Sequence, residues 1–128
     1  MGEKAGGKAP VIRNRKARHE FEILEELEAG LVLEGAEVKS LRDGRANFTD
    51  AFARVEEGEL WLHNIHISPY EQGTHGNHEP ERPRKLLLNR REIDRLYGRT
   101  TIRGQTCIPL SVYLKGNRIK VEIALAKG

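Results

Sequence analysis

The stretch TCIPLSVYLKGNRIKVEIALA, from Thr106 to Ala126, contains the pattern that decides the fold. Apolar and polar residues alternate along it on both sides of Gly116 and Asn117, a dipeptide of the kind that forms tight hairpin turns. Alternation with a period of two is typical of strands that bury one face. The stretch therefore predicts an antiparallel β-hairpin near the carboxyl end of the chain.

A second hairpin is predicted in residues 51–67. The sequence AFARVEEGELWLHNIHI alternates in two segments that meet at Glu57 and Gly58, and glycine at that position favours a turn between two strands. We expect Trp61 to anchor the core of this hairpin. The pattern also places His63 and His66 on opposite faces of their strand, because they are three residues apart.

The amino-terminal part predicts two further strands. The stretch HEFEIL, beginning at His19, alternates apolar and acidic residues. A short strand is predicted over residues 31–33, where Gly30 and Gly35 serve as turn points on either side. Together with the hairpins, these segments give about six strands.

Two short helices are predicted between the strands. In AEVKSLRDG, Val38 and Leu41 are three residues apart and Gly44 is placed to end the helix, so that the cations of this segment face outward, namely Lys39, Arg42 and Arg45. Residues 89–97 form the second helix, in which Asn89 caps the amino end and Glu92 is its capping partner.

These elements predict a mainly β protein, a small antiparallel β-barrel with two or three short flanking helices, since barrel closure removes exposed strand edges. We expect residues 1–10 to be a flexible basic arm and residues 11–128 to be a single domain. Three of the five prolines lie in residues 68–85, which predicts a long loop there.

The charges are segregated although the net charge is only +3. Residues 20–37 carry seven glutamates and no base, whereas residues 82–103 carry eight bases and two acids. Of the 22 bases, 14 are arginine, the side chain best suited to bidentate phosphate contacts. We expect the basic segments to gather into one cationic surface that attracts a polyanion.

The sequence gives little support for an enzyme, a metal site or a membrane protein. The three aspartates are in no metal-binding spacing, and His75 and His78 have no evident third ligand, so we expect no metal and no cofactor. The only cysteine, Cys107, lies in an apolar stretch and is predicted to be buried. The amino terminus lacks the apolar segment of a secretory signal, and no run of about 20 apolar residues is present, so we expect a cytoplasmic location.

RNA is favoured over DNA as the polyanion. A small barrel offers no long recognition helix for the major groove, while folded RNA is bound largely through its shape and backbone. Aromatic residues make up only 5% of the chain, so the stacking surfaces of a single-strand binder are not evident. The patterns alone thus predict a basic, β-rich module that contacts structured RNA.

Three strings of residues resemble one known family. They are EAGLVLEGAEVKSLRDGRANFTDAF (residues 28–52), GELWLHNIHISPY (residues 58–70) and RPRKLLLNRREIDRLYG (residues 82–98), followed by ALAKG. In this order they resemble the tmRNA-binding small protein B family, also called the SsrA-binding proteins. The resemblance implies an OB-fold type of barrel and the binding of the tRNA-like domain of tmRNA. It also implies delivery of tmRNA to the A site and small-subunit decoding region of stalled ribosomes, for trans-translation and without catalysis.

The resemblance implies an RNA-facing surface formed by residues from several segments of the chain, which are Asn14, Lys16, Arg18, His19, Glu28, Glu37, Lys39, Arg42, Arg84, Lys85, Leu87 and Asn89. Among them, the lysines and arginines would pair with phosphates. Glu28 would accept a hydrogen bond from a base amino group or orient a neighbouring arginine, and Leu87 would either fill the core or lie against an unpaired base. Family members usually continue past the position of Gly128 with a lysine-rich tail, so we expect a chain that ends there to bind tmRNA but to support tagging poorly.

Two other functions are considered beside this one. A ribosomal or initiation-factor-like RNA module would have the same barrel and basic surface, and would bind ordinary tRNA and tmRNA equally well. A metal-dependent nuclease would need magnesium and would lose activity when Asp43 or Asp50 is replaced.

Overall fold

A computed structural model describes residues 10–70 and 79–128, which form seven strands and three helices. The strands are β1 (Pro10–Arg13), β2 (Glu22–Leu31), β3 (Ala46–Glu56), β4 (Glu59–Ile67), β5 (Arg84–Leu87), β6 (Gln105–Lys115) and β7 (Arg118–Lys127). The helices are α1 (Ala17–Glu20), α2 (Gly35–Arg42) and α3 (Arg90–Thr100). None of these helices is long and apolar enough to cross a bilayer.

Six strands close into an antiparallel barrel in the order β6, β3, β4, β5, β2 and β7, and β7 pairs back with β6. β1 extends the edge of β6, where Arg13 lies opposite Ser111. The prediction of a mainly β, antiparallel barrel is therefore confirmed. Closure gives the barrel strands partners on both sides, so few unpaired edges are left in the described residues.

The core fills the inside of the barrel with side chains that alternate along the strands. Leu60, Leu62 and Leu86 are fully buried there, together with Ile123 of β7. Cys107 is buried as predicted, and this burial raises the pKa of its thiol to about 12. A smaller apolar cluster lies elsewhere, where Ala17 of α1 packs with Ile108, Leu110, Ala124 and Ala126.

Both predicted hairpins and both predicted helices are confirmed. β3 and β4 meet at Glu57 and Gly58, and β6 and β7 meet at Gly116 and Asn117. α2 ends before Gly44, whose φ of 74° is the left-handed conformation that glycine adopts easily. α3 is capped by Asn89 as predicted, and it continues to Thr100 beyond the predicted end at Tyr97.

The amino-terminal predictions were partly wrong. His19 belongs to α1, and the two predicted strands are one strand, β2, which runs through Gly30. Gly30 is needed for close approach rather than for a turn, because a β-carbon there would lie 3.3 Å from that of Leu87. The predicted arm of residues 1–10 lies outside the described residues except for Pro10, which begins β1.

Strand β4 corrects two further predictions. Trp61 is only half-buried on the outer face, since the flanking Leu60 and Leu62 take the inner positions. Asn64 has a φ of 65° and lies at an irregularity of the β3–β4 ladder, which interrupts the alternation. Residues 62, 65 and 67 are therefore all buried, and His63 and His66 both lie on the outer face instead of on opposite faces.

The predicted loop over residues 68–85 also needs correction at its end. Residues 71–78, with His75 and His78, lie outside the described residues. Arg84 begins β5, a short strand that the proline-rich pattern before it concealed. β5 pairs with β4 on one side and with β2 on the other, so it is required for closure of the barrel.

Candidate nucleic-acid interface

One outer surface of the barrel crosses five strands, and the ladder registers define it. Leu87 lies opposite Gly30, Gly30 opposite Lys120, and Lys120 opposite Tyr113. In the neighbouring row, Glu28 lies opposite Glu122, Glu122 opposite Ser111, and Ser111 opposite Arg13. We call this surface the cross-barrel face, comprising Arg13, Glu28, Gly30, Leu87, Ser111, Tyr113, Lys120 and Glu122.

Glu28 is held in place near the centre of the cross-barrel face. Its carboxylate accepts hydrogen bonds from the hydroxyl of Tyr113 and, at 3.3 Å, from Nζ of Lys115. The bond from Tyr113 is the main reason that the pKa of Glu28 lies below its usual value. Glu28 is thus an ionised strand residue, and a carboxylate has further acceptor positions left for a base amino group.

The segment before α1 forms one end of this surface. The backbone N–H of Asn14 donates to the carbonyl of Leu110 at 2.9 Å, and its side-chain nitrogen donates to the carbonyl of Pro109 at the same distance. Burial of Ala17 fixes the other end of the segment. Between and beside these anchors lie exposed basic side chains, namely Arg13, Arg15, Lys16, Arg18 and His19.

A cleft with a volume of about 490 Å³ separates this basic segment from the barrel. Arg13, Arg18 and His19 of the basic segment line it together with Tyr113 and Glu122 of the barrel. Arg18 also forms an ion pair of 3.0 Å with Glu26 on β2. In the described residues, Arg13, Arg15 and Lys16 pair with no carboxylate, so their charges face solvent.

A second cleft, of about 480 Å³, lies at the Leu87 end of the cross-barrel face. The side chain of Leu87 is 52% exposed, although it continues a strand whose Leu86 is fully buried. Arg118, Lys120 and Val38 of α2 also line this cleft. Of the two alternatives for Leu87, the core position is therefore wrong, and an apolar surface beside two cations is what the fold presents.

Helix α2 presents two of the predicted cations. Lys39 and Arg42 are exposed, as predicted, while Arg45 is half-buried. Nζ of Lys39 lies 5.3 Å from the centre of the Tyr70 ring, which is within cation–π range. Since Val38 lines the Leu87 cleft, α2 extends the cross-barrel face with positive charge.

Arg84 and Glu37 are not on the surface, and their predicted direct contact with RNA was wrong for this conformation. Both side chains are completely buried. Arg84 donates to Oε2 of Glu37 from Nε at 2.9 Å and from Nη2 at 2.6 Å, and its Nη1 donates to the carbonyl of Ile65 at 2.8 Å. We call this pair, with Arg82, the buried clamp, since Arg82 also donates to Glu37 at 2.6 Å.

The buried clamp ties α2 to β5 and to the end of β4. Burial by itself raises the pKa of Glu37, but the hydrogen bonds from Arg82, from the backbone of Glu34 and from Arg84 outweigh it and lower the pKa. Burial is also the main reason that the pKa of Arg84 is lowered. Arg84 and Glu37 therefore support the surface by holding α2 in place, since neither side chain reaches solvent.

Lys85 lies in β5, and Asn89 lies between β5 and α3. Nζ of Lys85 is 3.6 Å from Oε1 of Glu59, on the β4 side of the strand. The side chain of Asn89 accepts a hydrogen bond from the N–H of Glu92 at 2.9 Å, which confirms it as the cap of α3. A contact of either residue with RNA stays a prediction.

The predicted single cationic surface is not what the structure contains. Carboxylates of Glu26, Glu28 and Glu122 lie between the basic segment at one end and the cations of α2, Arg118 and Lys120 at the other. Sequence analysis missed Tyr113, Arg118 and Lys120. Alternation places Lys120 on the outer face, but the pairing of β7 with β2 has no local signal.

Metal chemistry has no obvious centre in residues 10–70 and 79–128. No group of three or more His, Cys, Asp or Glu residues in these ranges is arranged to hold an ion. Nε2 of His63 lies 3.0 Å from Oε2 of Glu56, and the His63 ring stacks on Phe52. Nδ1 of His66 lies 3.1 Å from Oε2 of Glu81. The two histidines on the outer face thus have separate partners.

Comparison with known proteins gives one consistent family. A family model described as SmpB protein matches residues 11–128. The SsrA-binding protein of Desulforudis audaxviator is 64% identical over 118 residues, which cover 92% of this chain and 77% of the relative. The SsrA-binding protein of Carboxydothermus hydrogenoformans is 60% identical over 118 residues, covering 92% of this chain and 79% of the relative.

A solved structure has the same fold. It is described as "tmRNA-SmpB: a journey to the center of the bacterial ribosome", and its matching chain is 51% identical to this one. The two superpose with a TM-score of 0.77, and the match covers 94% of this chain and 85% of the other.

Proposed function

We propose a function from one premise: the chain belongs to the SmpB protein family. It binds tmRNA through the tRNA-like domain and carries it to stalled ribosomes, where trans-translation releases them. The observation that carries this proposal is the likeness, at 51% identity over 94% of the chain, to a protein described together with tmRNA and the bacterial ribosome. The chain acts as a binding factor in the cytoplasm and not as a catalyst.

The cross-barrel face supports binding of a folded RNA. It combines an apolar surface at Leu87, an ionised acceptor at Glu28 and cations at both ends. Unpaired bases can lie against an apolar side chain and donate amino hydrogens to a carboxylate, which are the means by which proteins contact RNA loops. We assign base contacts to Leu87 and Glu28, and an accessory role to Asn89.

The cations at the ends of the face hold the phosphates. We assign phosphate contacts to exposed side chains of the basic segment and of α2, which are Lys16, Arg18, His19, Lys39 and Arg42. Asn14 fixes the path of the basic segment. We also assign a phosphate contact to Lys85, which lies on β5. Such contacts position the RNA and make its binding dependent on salt. Residues 11–128 act as the RNA-binding domain.

A binding titration tests this function. The affinity for the tRNA-like fragment of tmRNA is compared with that for an ordinary elongator tRNA of the same length range at matched salt and magnesium. We expect tighter binding to the tmRNA fragment. Equal affinities would contradict the proposal and favour a general ribosomal or initiation-factor-like RNA module.

A further inference from the structure

Tyr113 is the most buried residue of the cross-barrel face. It is only 4% exposed, and its hydroxyl donates a hydrogen bond to the carboxylate of Glu28. Tyr113 lies on β6 and Glu28 on β2, so the bond spans β7, where Lys120 lies opposite Tyr113 and Glu122 lies opposite Glu28. A side chain this buried offers almost no surface to RNA, but it can act on a side chain that does.

Glu28 is surrounded by charges of both signs. Glu122 lies opposite it on β7, and Glu26 lies two residues before it on the same face of β2, since the Leu27 between them is buried. The cations that act on it are Lys115 and Lys120. Neighbouring carboxylates disfavour one another's ionised form, so Glu28 depends on its donors to stay ionised. Of these donors, the hydroxyl of Tyr113 lowers the pKa of Glu28 the most.

The two side chains that donate to Glu28 differ in how firmly they are fixed. Lys115 donates at 3.3 Å from a long side chain that is 53% exposed. Such a side chain keeps much of its rotamer freedom, and its ion pair is weakened by water and salt. The position of the Tyr113 hydroxyl, in contrast, is fixed by the packing of its ring. Burial, together with the bond to Glu28, raises the pKa of Tyr113 well above its usual value, so its hydroxyl stays a donor.

We infer that Tyr113 is a positioning residue for RNA binding, which holds the carboxylate of Glu28 in the orientation that accepts hydrogen bonds from a base. The inference rests on the proposed function, because the base contact of Glu28 belongs to it. Tyr113 acts through Glu28 and does not touch the RNA itself. Its hydroxyl is neutral, so it supports the acceptor without adding a charge that would attract phosphate to this point of the face.

Tyr113→Phe tests the inference, because it removes the hydroxyl and keeps the packed ring. We expect the affinity for the tRNA-like fragment to fall by about tenfold, as for loss of one hydrogen bond to a charged group. The salt dependence of binding should not change, since no phosphate contact is lost. Tyr97→Phe is the matched control, because it removes the same hydroxyl from a tyrosine of α3 that is 57% exposed. A lower melting temperature with unchanged affinity would show a merely structural tyrosine and would overturn the inference.

A double-mutant cycle with Glu28→Ala shows whether Tyr113 acts through Glu28. In the Glu28→Ala background, Tyr113→Phe should weaken binding of the fragment no further, because the group that it positions is already absent. A further loss of affinity in the double variant would mean that Tyr113 supports binding by another route, which would overturn the inference.

The pH dependence of binding gives a readout that loss of packing would not change. Without the hydroxyl the ionised form of Glu28 is less favoured, so the affinity of Tyr113→Phe should begin to fall at a higher pH than that of the unaltered chain. His19, Glu26 and Glu122 also titrate on this surface, but they are present in both chains, so the displacement between the two profiles reports on Glu28. Profiles of the same shape would overturn the inference. Failure of the unaltered chain to prefer the fragment over an elongator tRNA would contradict the proposed function instead.

Discussion

Two arginine–glutamate pairs in this barrel have the same closest distance and opposite surroundings. Nη2 of Arg84 lies 2.6 Å from Oε2 of Glu37 with both side chains fully buried, and Nη2 of Arg95 lies 2.6 Å from Oε2 of Glu25 with exposures of 40% and 33%. Distance alone therefore does not tell what such a pair does. Burial makes the first a structural element, while the second remains accessible to solvent and to partners.

The pKa values of the two arginines shift in opposite directions for this reason. Hydrogen bonding to Glu25 raises the pKa of Arg95, whereas burial lowers the pKa of Arg84 in spite of its bonds to Glu37. Removing one partner of a buried pair leaves a charge without compensation, but the partner of an exposed pair is simply rehydrated. The comparison thus makes specific predictions about stability.

Glu37→Gln should have the largest effect. It removes the charge that compensates Arg84 and Arg82, so we expect the free energy of unfolding to fall by about 3 to 5 kcal/mol. Urea denaturation at neutral pH measures this, with Glu25→Gln as the control from the exposed pair. Equal losses in both variants would show that burial does not distinguish the pairs.

Leu86 and Leu87 provide the same contrast with apolar side chains. Leu86→Ala should lower the free energy of unfolding by about 2 to 5 kcal/mol, because it opens a cavity in the core. Leu87→Ala should change it by less than about 0.5 kcal/mol and should instead weaken binding of the tRNA-like fragment. Thermal melting and a binding titration on both variants separate the two roles, and a marked loss of stability in Leu87→Ala would argue against a surface role.

Lowering the pH should reduce the contribution of Glu37 to the free energy of unfolding. The folded-state pKa of Glu37 lies below 4.5, so its contribution is complete at pH values above 4.5 and is lost as the pH falls through the lower folded-state value. We therefore expect the difference in melting temperature between the unaltered chain and Glu37→Gln to shrink on the acid side. A difference that stays constant down to the lowest pH at which both fold would contradict this linkage.

Lys39→Ala should affect binding rather than folding. Loss of one phosphate contact flattens the dependence of the logarithm of affinity on the logarithm of salt concentration by about 0.7 to 0.9. Filter binding of the tRNA-like fragment over a range of salt concentrations measures the slope, with Arg54→Ala as the control. If both variants keep the slope of the unaltered chain, Lys39 makes no phosphate contact.

Arg95→Ala should have a much smaller effect on stability than Glu37→Gln. An exposed ion pair contributes at most about 1 kcal/mol, and salt screens it. We expect a small loss in dilute buffer that disappears at high salt, measured by urea denaturation under both conditions. A loss as large as that of Glu37→Gln, or one that salt does not reduce, would remove the distinction between the two pairs.

Local features of the fold were predictable from the sequence. The turns at Gly58 and Gly116, the end of α2 at Gly44 and the cap of α3 at Asn89 each depend on a few neighbouring residues, so the pattern contains what determines them. The interruption at Asn64 was not predictable from alternation. It arises in the ladder with β3, where a second residue, Asp50, also has a positive φ of 52°.

Long-range pairing explains most of what sequence analysis missed. Charge suggested that Arg84 faces solvent, but its partner Glu37 is 47 residues away and both are covered by the fold. Likewise, Lys120 and Tyr113 join Glu28 only because β7 lies between β2 and β6. The resemblance implied which residues belong to the candidate site. The fold shows which of them are exposed, such as Lys39, and which are buried beneath the surface, such as Arg84.

The position of β7 between β2 and β6 has a consequence for how the protein is made. Glu22 pairs with Lys127, so partners about a hundred residues apart in the chain must meet before the ring can close. Contacts this distant slow folding, and during synthesis β2 leaves the ribosome long before its partner is translated. A polypeptide whose translation stops before β7 would leave the edges of β2 and β6 unpaired. We expect such a polypeptide to aggregate or to be degraded by proteases.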